Sequence, residues 1–275
     1  MKKVGIALGG GGARGLAHIV MLSVLDDFGV RPQVIAGTSI GAVIGAFYAG
    51  GLSAARIREE IAYLTSFPES LEDVFKERRL FGWFDFIDLR VTRNSILRID
   101  KLLDRIDETI GISRLEDLPI PLKIVATDLW AHEEVVLDSG PLEEAVAASF
   151  AMPGIFKPVV REGRVLVDGG MVNPVPYDLI QDDCDIVIAV DVITPRRQKS
   201  KVGPSFTDTI FNAFQIAEKT IVRQKMNNRP PTIYIEPQIE DVLALEFHKA
   251  PKIYAQAERA REQLEVALEK ALETG

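Results

Sequence analysis

Residues 34–51 read VIAGTSIGAVIGAFYAGG. A short apolar run gives way to Gly37-Thr38-Ser39-Ile40-Gly41, and a second apolar stretch follows until Gly50-Gly51 closes it. The pattern predicts a strand from about Gln33 to Ala36, a sharp turn, and a helix to about Tyr48. A serine at the tip of such a turn needs small neighbours, because its backbone is held in a strained conformation. Gly37 and Gly41 let the strand and the helix pass close to that tip, and the helix aims its amides and dipole at any anion forming near Ser39. The reading is therefore a nucleophilic serine. A packed helix start made of small residues has the same local look, so the rest of the chain has to decide.

Upstream, LGGGGARG (residues 8–15) follows the candidate strand KVGIAL and opens a helix expected from about Ala13 to Phe28. Its backbone N–H groups face the end of the sheet where Ser39 should lie, as an oxyanion hole requires. Arg14 braces this loop, lies near an anionic head group, or is an ordinary surface arginine. The same loop fits G-x-G-x-x-G through Gly10, Gly12 and Gly15, which makes a nucleotide-binding enzyme the alternative. That fold wants an acidic residue at the end of the second strand, where this chain has Gly37-Thr38-Ser39 instead.

The proton acceptor for Ser39 is less obvious. Of the three histidines, His18 falls inside the first helix, His132 in a turn, and His248 just before the last helix. Only His248 satisfies the chain order serine, acid, histidine of α/β-hydrolases. The better candidate is Asp168, in VLVDGGMVNPVP, at the end of a predicted strand with Gly169 and Gly170 beside it.

The three motifs in this order, GGGGARG, GTSIG and DGG, together with ASFAMPGIFKPV at residues 148–159, resemble the patatin-like phospholipase family. The resemblance runs from the first strand to at least Asp191. It implies Ser39 as nucleophile, Asp168 as its partner in a two-residue dyad, and Gly10, Gly11 and Gly12 as the lining of the oxyanion hole. Arg14, Gly15, Gly37, Gly41, Gly169 and Gly170 support those motifs. It further implies a serine acyl hydrolase, a lipase or phospholipase A-type esterase working through an acyl-enzyme, with no cofactor and no metal. A non-catalytic regulatory protein that keeps a lipase-like pocket is a third reading.

Alternation of apolar strands with helices predicts a three-layer α/β fold, a mostly parallel central sheet between helices. Further strands are expected at 122–128, 134–137, 164–167 and 185–192 and in TIYIEP, with helices at 54–64, 142–149 and 206–226 and from about Lys252. With 275 residues and no composition break, the expectation is one patatin-like domain over 1–275. Residues 66–111 depart from the pattern. They hold Phe81, Trp83, Phe84 and Phe86, a helix near 96–106, and between Lys76 and Arg105 eight Lys/Arg against five Asp/Glu. This variable insertion is a candidate lid, with Arg78, Arg79, Arg90 and Arg93 toward head groups, or a cover for the core. Phe206, Ile210, Phe211 and Phe214 fall at helical spacing after the basic loop PRRQKSKVGP, and that face reads as core or subunit contact ahead of a lipid port.

A formal net charge of −8 argues against nucleic acid as a partner, and the single cysteine, Cys184, excludes an internal disulfide framework. MKKVGIALGGGGARG breaks into glycines and reads as a first strand, not a secretory leader. The expected setting is cytoplasmic, with lipid or another acyl ester as substrate. Peripheral contact with the inner face of the membrane and a homo-oligomer both remain open.

Overall fold

The computed structural model describes residues 2–65, 101–194 and 206–274. The aromatic and basic residues expected in a lid, the loop PRRQKSKVGP and the side chain of Phe206 lie outside the described residues.

The centre is an eight-stranded mixed sheet. Five strands are parallel, in the order β3 (Leu122–Asp128), β2 (Val34–Thr38), β1 (Val4–Leu8), β7 (Ile186–Val190), β8 (Ile233–Ile235). All ten residues of β1 and β2 are buried, as continuous apolar strands in a sheet covered on both faces must be. The strands β4 (Glu133–Leu137), β5 (Val159–Arg161) and β6 (Arg164–Asp168) form an antiparallel flank on β3. Their antiparallel direction and the three-residue β5 are the features that alternation in the sequence did not carry.

One face of the sheet is thick. Here Ile6, Leu8, Ile35, Ile124 and Ile188 pack beneath α1 (Ala17–Asp27), α2 (Ile40–Ala49), α4 (Leu142–Phe150) and α6 (Ala250–Glu273). Every residue of α2 is buried, which explains its all-round apolar sequence. The helix α3 (Ala54–Thr65) packs on α1 and α2. Residues 101–110 are also helical, and Leu103 and Ile106 join this core. The opposite face is thin. It uses small side chains, Ala7, Ala36 and Ala189, covered by the short 3-10 helix Tyr177–Ile180 and by Val222 of α5 (Phe206–Asn228). No described helix is long and apolar enough to cross a membrane.

The register of β3 positions the site. Residues 124 and 125 pair with β2 on one edge and β4 on the other, and residues 126–128 pair with β4 and β6. Thus β2 and β6 share one edge of β3, meeting from opposite directions. Thr38, at the end of β2, faces Val125, and Asp168, at the end of β6, faces the next residue, Ala126. Two segments 130 residues apart in sequence therefore finish side by side.

Candidate active site

Ser39 occupies φ 56° and ψ −123°, a left-handed conformation that costs a side-chain-bearing residue about 1–3 kcal/mol. It follows β2 directly and caps α2, so its side chain is lifted out of the sheet at a helix N-terminus. The turn is possible because α2 can approach β1: a Cβ on Gly41 would fall 2.0 Å from the Leu8 carbonyl oxygen. Gly15, Gly37 and Gly169 sit at comparable approaches, with the nearest atom 2.2, 2.7 and 2.3 Å from such a Cβ. The Ser39 N–H donates to Ser149 Oγ at 2.8 Å, and Ser149 is fully buried.

Asp168 ends β6 at φ −47° and ψ 132°, outside the left-handed region, and is 5% exposed. Its N–H donates to the Ala151 carbonyl at 3.0 Å, and its own carbonyl accepts from Thr127 Oγ1 at 2.8 Å. Oδ1 accepts from the Gly170 N–H at 2.8 Å. Burial pushes the carboxyl up to about 6, while the Ser39 hydroxyl and the Gly170 N–H act against that rise. Oδ2 is buried, and no well-aligned hydrogen bond reaches it from any described residue. Asp168 is thus a more basic carboxylate than a solvated one, with an open acceptor beside Ser39.

The segment after DGG ties the two halves together. The Asn173 carbonyl accepts from Thr38 Oγ1 at 2.8 Å, and the Pro174 carbonyl accepts from the Gly10 N–H at 2.9 Å. Gly10 therefore differs from the two glycines after it: its N–H is committed to Pro174, and its Cα packs toward Ser39. The N–H groups of Gly11 and Gly12 have no acceptor among the described residues. Gly12 needs φ +60°, and a Cβ there would lie 2.3 Å from the Ala244 carbonyl oxygen. That same oxygen accepts the Ala13 N–H at 2.7 Å. The Ala244 carbonyl thus occupies one of the N–H groups at this helix start, close against the glycine loop.

Arg14 is buried, and its guanidinium donates to the Thr194 carbonyl at 2.6 Å, so it braces the loop. His18 is fully buried beside it, with Nε2 2.8 Å from the Gly9 carbonyl oxygen, and burial lowers its pKa to about 4, leaving it neutral. None of the three histidines lines the cavity at Ser39.

That cavity, of about 30 Å³, has Gly11, Ser39 and Asp168 at its base. Met152, Pro153, Met171, Phe211, Phe214 and Ala244 give it apolar walls, and Gln215 and Glu218 complete it. Phe211 and Phe214 thus belong to the wall of the site, a correction to their expected place in core or subunit contact. Ile210, on the same helix, is 42% exposed. Sequence reasoning also missed Ser149 and Glu218. Ser149 stands inside ASFAMPG, which carried the signal of a connection but not of a contact, and Glu218 sits on an apparently ordinary charged helix. No group of three or more His, Cys, Asp and Glu side chains that could hold a metal occurs among the described residues.

The structure is a mixed α/β sheet with a strained serine at a strand-to-helix turn and a buried aspartate at the end of an adjoining strand. The family model for patatin-like phospholipases matches residues 6–180, and the chain belongs to that family. An uncharacterised NTE family protein of Mycobacterium tuberculosis is 36% identical over 204 residues, covering 74% of this chain and 51% of its own length. Lysophospholipase NTE1 of Saccharomyces cerevisiae is 26% identical over 274 residues, covering 91% of this chain and 16% of its own. The chain thus spans about half the length of one of these curated relatives and about a sixth of the other. Among solved structures, VipD from Legionella pneumophila superposes with a TM-score of 0.52 at 14% identity, covering 95% of this chain and 67% of that one, which bears on the fold.

Proposed function

We propose that the protein is a serine acyl hydrolase that cleaves the acyl esters of lipids through Ser39 and Asp168. The observation that carries this reading is the open, buried Asp168 Oδ2 beside a serine held in a strained turn. Family membership and the resemblance to a yeast lysophospholipase support the lipid substrate. So do the apolar walls of the cavity, of which Met171 is 39% exposed.

In the first half of the reaction, Ser39 Oγ bonds to the ester carbonyl carbon while Asp168 Oδ2 takes the hydroxyl proton. The N–H groups of Gly11 and Gly12 and the start of α2 stabilise the oxyanion, a contribution typically worth ~2.7–4 kcal/mol. Collapse breaks the bond to the leaving alcohol, which receives the proton from Asp168. In the second half, water gives a proton to Asp168 and its oxygen to the acyl carbon. The fatty acid leaves as the proton returns to Ser39. A carboxylate serves as base here because burial has raised its proton affinity and because proton transfer accompanies attack. A cavity of about 30 Å³ holds roughly one water, so an acyl chain enters by displacing the side chains of its apolar wall.

The test is hydrolysis of p-nitrophenyl esters of increasing chain length and of phospholipid vesicles, with wild type beside Ser39→Ala and Asp168→Asn. Both variants should lose about 10³-fold or more in kcat. An Asp168→Asn enzyme with near-normal turnover would remove the dyad, and folded wild type silent on every ester would remove the hydrolase.

A further inference from the structure

Helix α5 places Phe211, Phe214, Gln215 and Glu218 three and four residues apart on one face, and all four line the Ser39 cavity. The steps above give the Glu218 carboxyl no part, yet the chain makes room for it. A Cβ on Gly170 would stand 2.4 Å from Glu218 Oε1 and 3.2 Å from Asp168 Oδ1. The two carboxyl groups therefore flank one glycine, separated by no more than the sum of those distances. The second glycine of DGG has two tasks: its N–H holds Asp168 Oδ1, and its bare Cα admits Glu218. Among the described residues no hydrogen bond or ion pair engages the Glu218 carboxyl, and no well-aligned hydrogen bond reaches Asp168 Oδ2.

We propose that Glu218 is a second carboxyl of the active site, one that keeps its proton beside Asp168 and so sets the upper pH limit of the Ser39–Asp168 pair. The structural part stands on the geometry at Gly170, and the kinetic part rests on the hydrolase reading. Two carboxylates this close, facing one small cavity, do not both ionise readily. Burial is the largest influence on Glu218 and pushes it up to about 8. Asp168 on β6 and Asp191 at the end of β7 act in the same direction; Arg14 on the glycine turn and Lys219 on α5 itself oppose them. Lys219 is shared with Asp191 Oδ2 at 2.7 Å and Glu236 Oε1 at 2.8 Å, and Arg14 donates to Thr194, which dilutes their pull on Glu218. Between the two ionisations the site holds one ionised base and one neutral carboxyl. Above the second, another negative charge faces the place where the oxyanion forms, and transition-state stabilisation falls. Glu218 acts through Asp168 and the field of the cavity, as a positioning residue for charge.

Carbon-13 labelling of glutamate side-chain carboxyls in the full chain counts this proton without reference to turnover. One resonance should titrate near pH 8 and be missing from Glu218→Gln. In ester hydrolysis by wild type, kcat/KM should rise through the Asp168 ionisation and then decline by up to about tenfold per pH unit above that of Glu218. In Glu218→Gln this decline should vanish. Glutamates that all titrate below about pH 6 would overturn the proposal, as would a high-pH decline unmoved in Glu218→Gln. A glutamate titrating near 8 in a protein that hydrolyses no ester would sink the hydrolase reading and leave the carboxyl pair standing.

Discussion

Ser39 and Asp168 finish two strands on the same edge of β3, but the fold holds them under different kinds of strain. At Ser39 the strain is conformational: φ of 56° in a residue with a side chain, kept there by Gly41 against β1 and by the hydrogen bond its N–H donates to Ser149 Oγ. At Asp168 the backbone is relaxed, and the strain is electrostatic, a carboxylate out of water with one oxygen open. The first kind is indifferent to pH; the second exists only when the group is ionised. On the proposed function, both amount to stability given up to preorganise a nucleophile and its base. The cover above them, α5, is held by charge instead: Lys219 reaches the fully buried Asp191, which also accepts from Tyr234 Oη at 2.6 Å.

The largest stability effect expected is at that cover. Lys219→Met leaves Asp191 buried without its cation and should destabilise the fold by about 3 kcal/mol in urea unfolding. A change below about 0.5 kcal/mol would mean that α5 docks by its apolar face alone.

Next comes Asp168→Asn. In the folded protein the carboxyl is raised from 3.8 to about 6, so the folded state binds more protons than the unfolded one between those values. Wild-type stability should therefore fall as pH rises through that window and stay lower above it. Asparagine has no charge to bury, so the variant should gain on wild type across the window, reaching roughly 2–3 kcal/mol near neutrality. A gain that does not vary with pH would contradict an electrostatic origin.

The smallest effect is Ser39→Gly, which relieves the backbone but adds freedom to the unfolded chain. Its net gain should be about 1 kcal/mol, the same at pH 4 and pH 8. Pronounced pH dependence here would show that the serine and the carboxylate do not store strain separately.

Much of the serine half was legible in the amino-acid order because its causes are local. Strand, turn and helix are contiguous from Val34 to Ala49, and the glycines at 37 and 41 are required by contacts within that unit and with β1. DGG was legible as a strand end for the same reason. What is written in neighbouring residues can be read from them, since turn chemistry and apolar periodicity act over a few positions.

The tertiary structure decided the rest. That β6 runs antiparallel into the end of β2 depends on how two strands share one edge of β3, and no local period records it. That Ser149 holds the Ser39 amide, that Gly10 is occupied by Pro174, and that Phe211 and Phe214 form a wall of the site are contacts across 110, 164 and more than 170 residues. Glu218 shows the limit most clearly. On its helix it is one charged residue among several, and only the approach of α5 to Gly170 brings it beside Asp168, where burial pushes its carboxyl up to about 8. Sequence specifies which groups are available; burial and long-range proximity specify their charge.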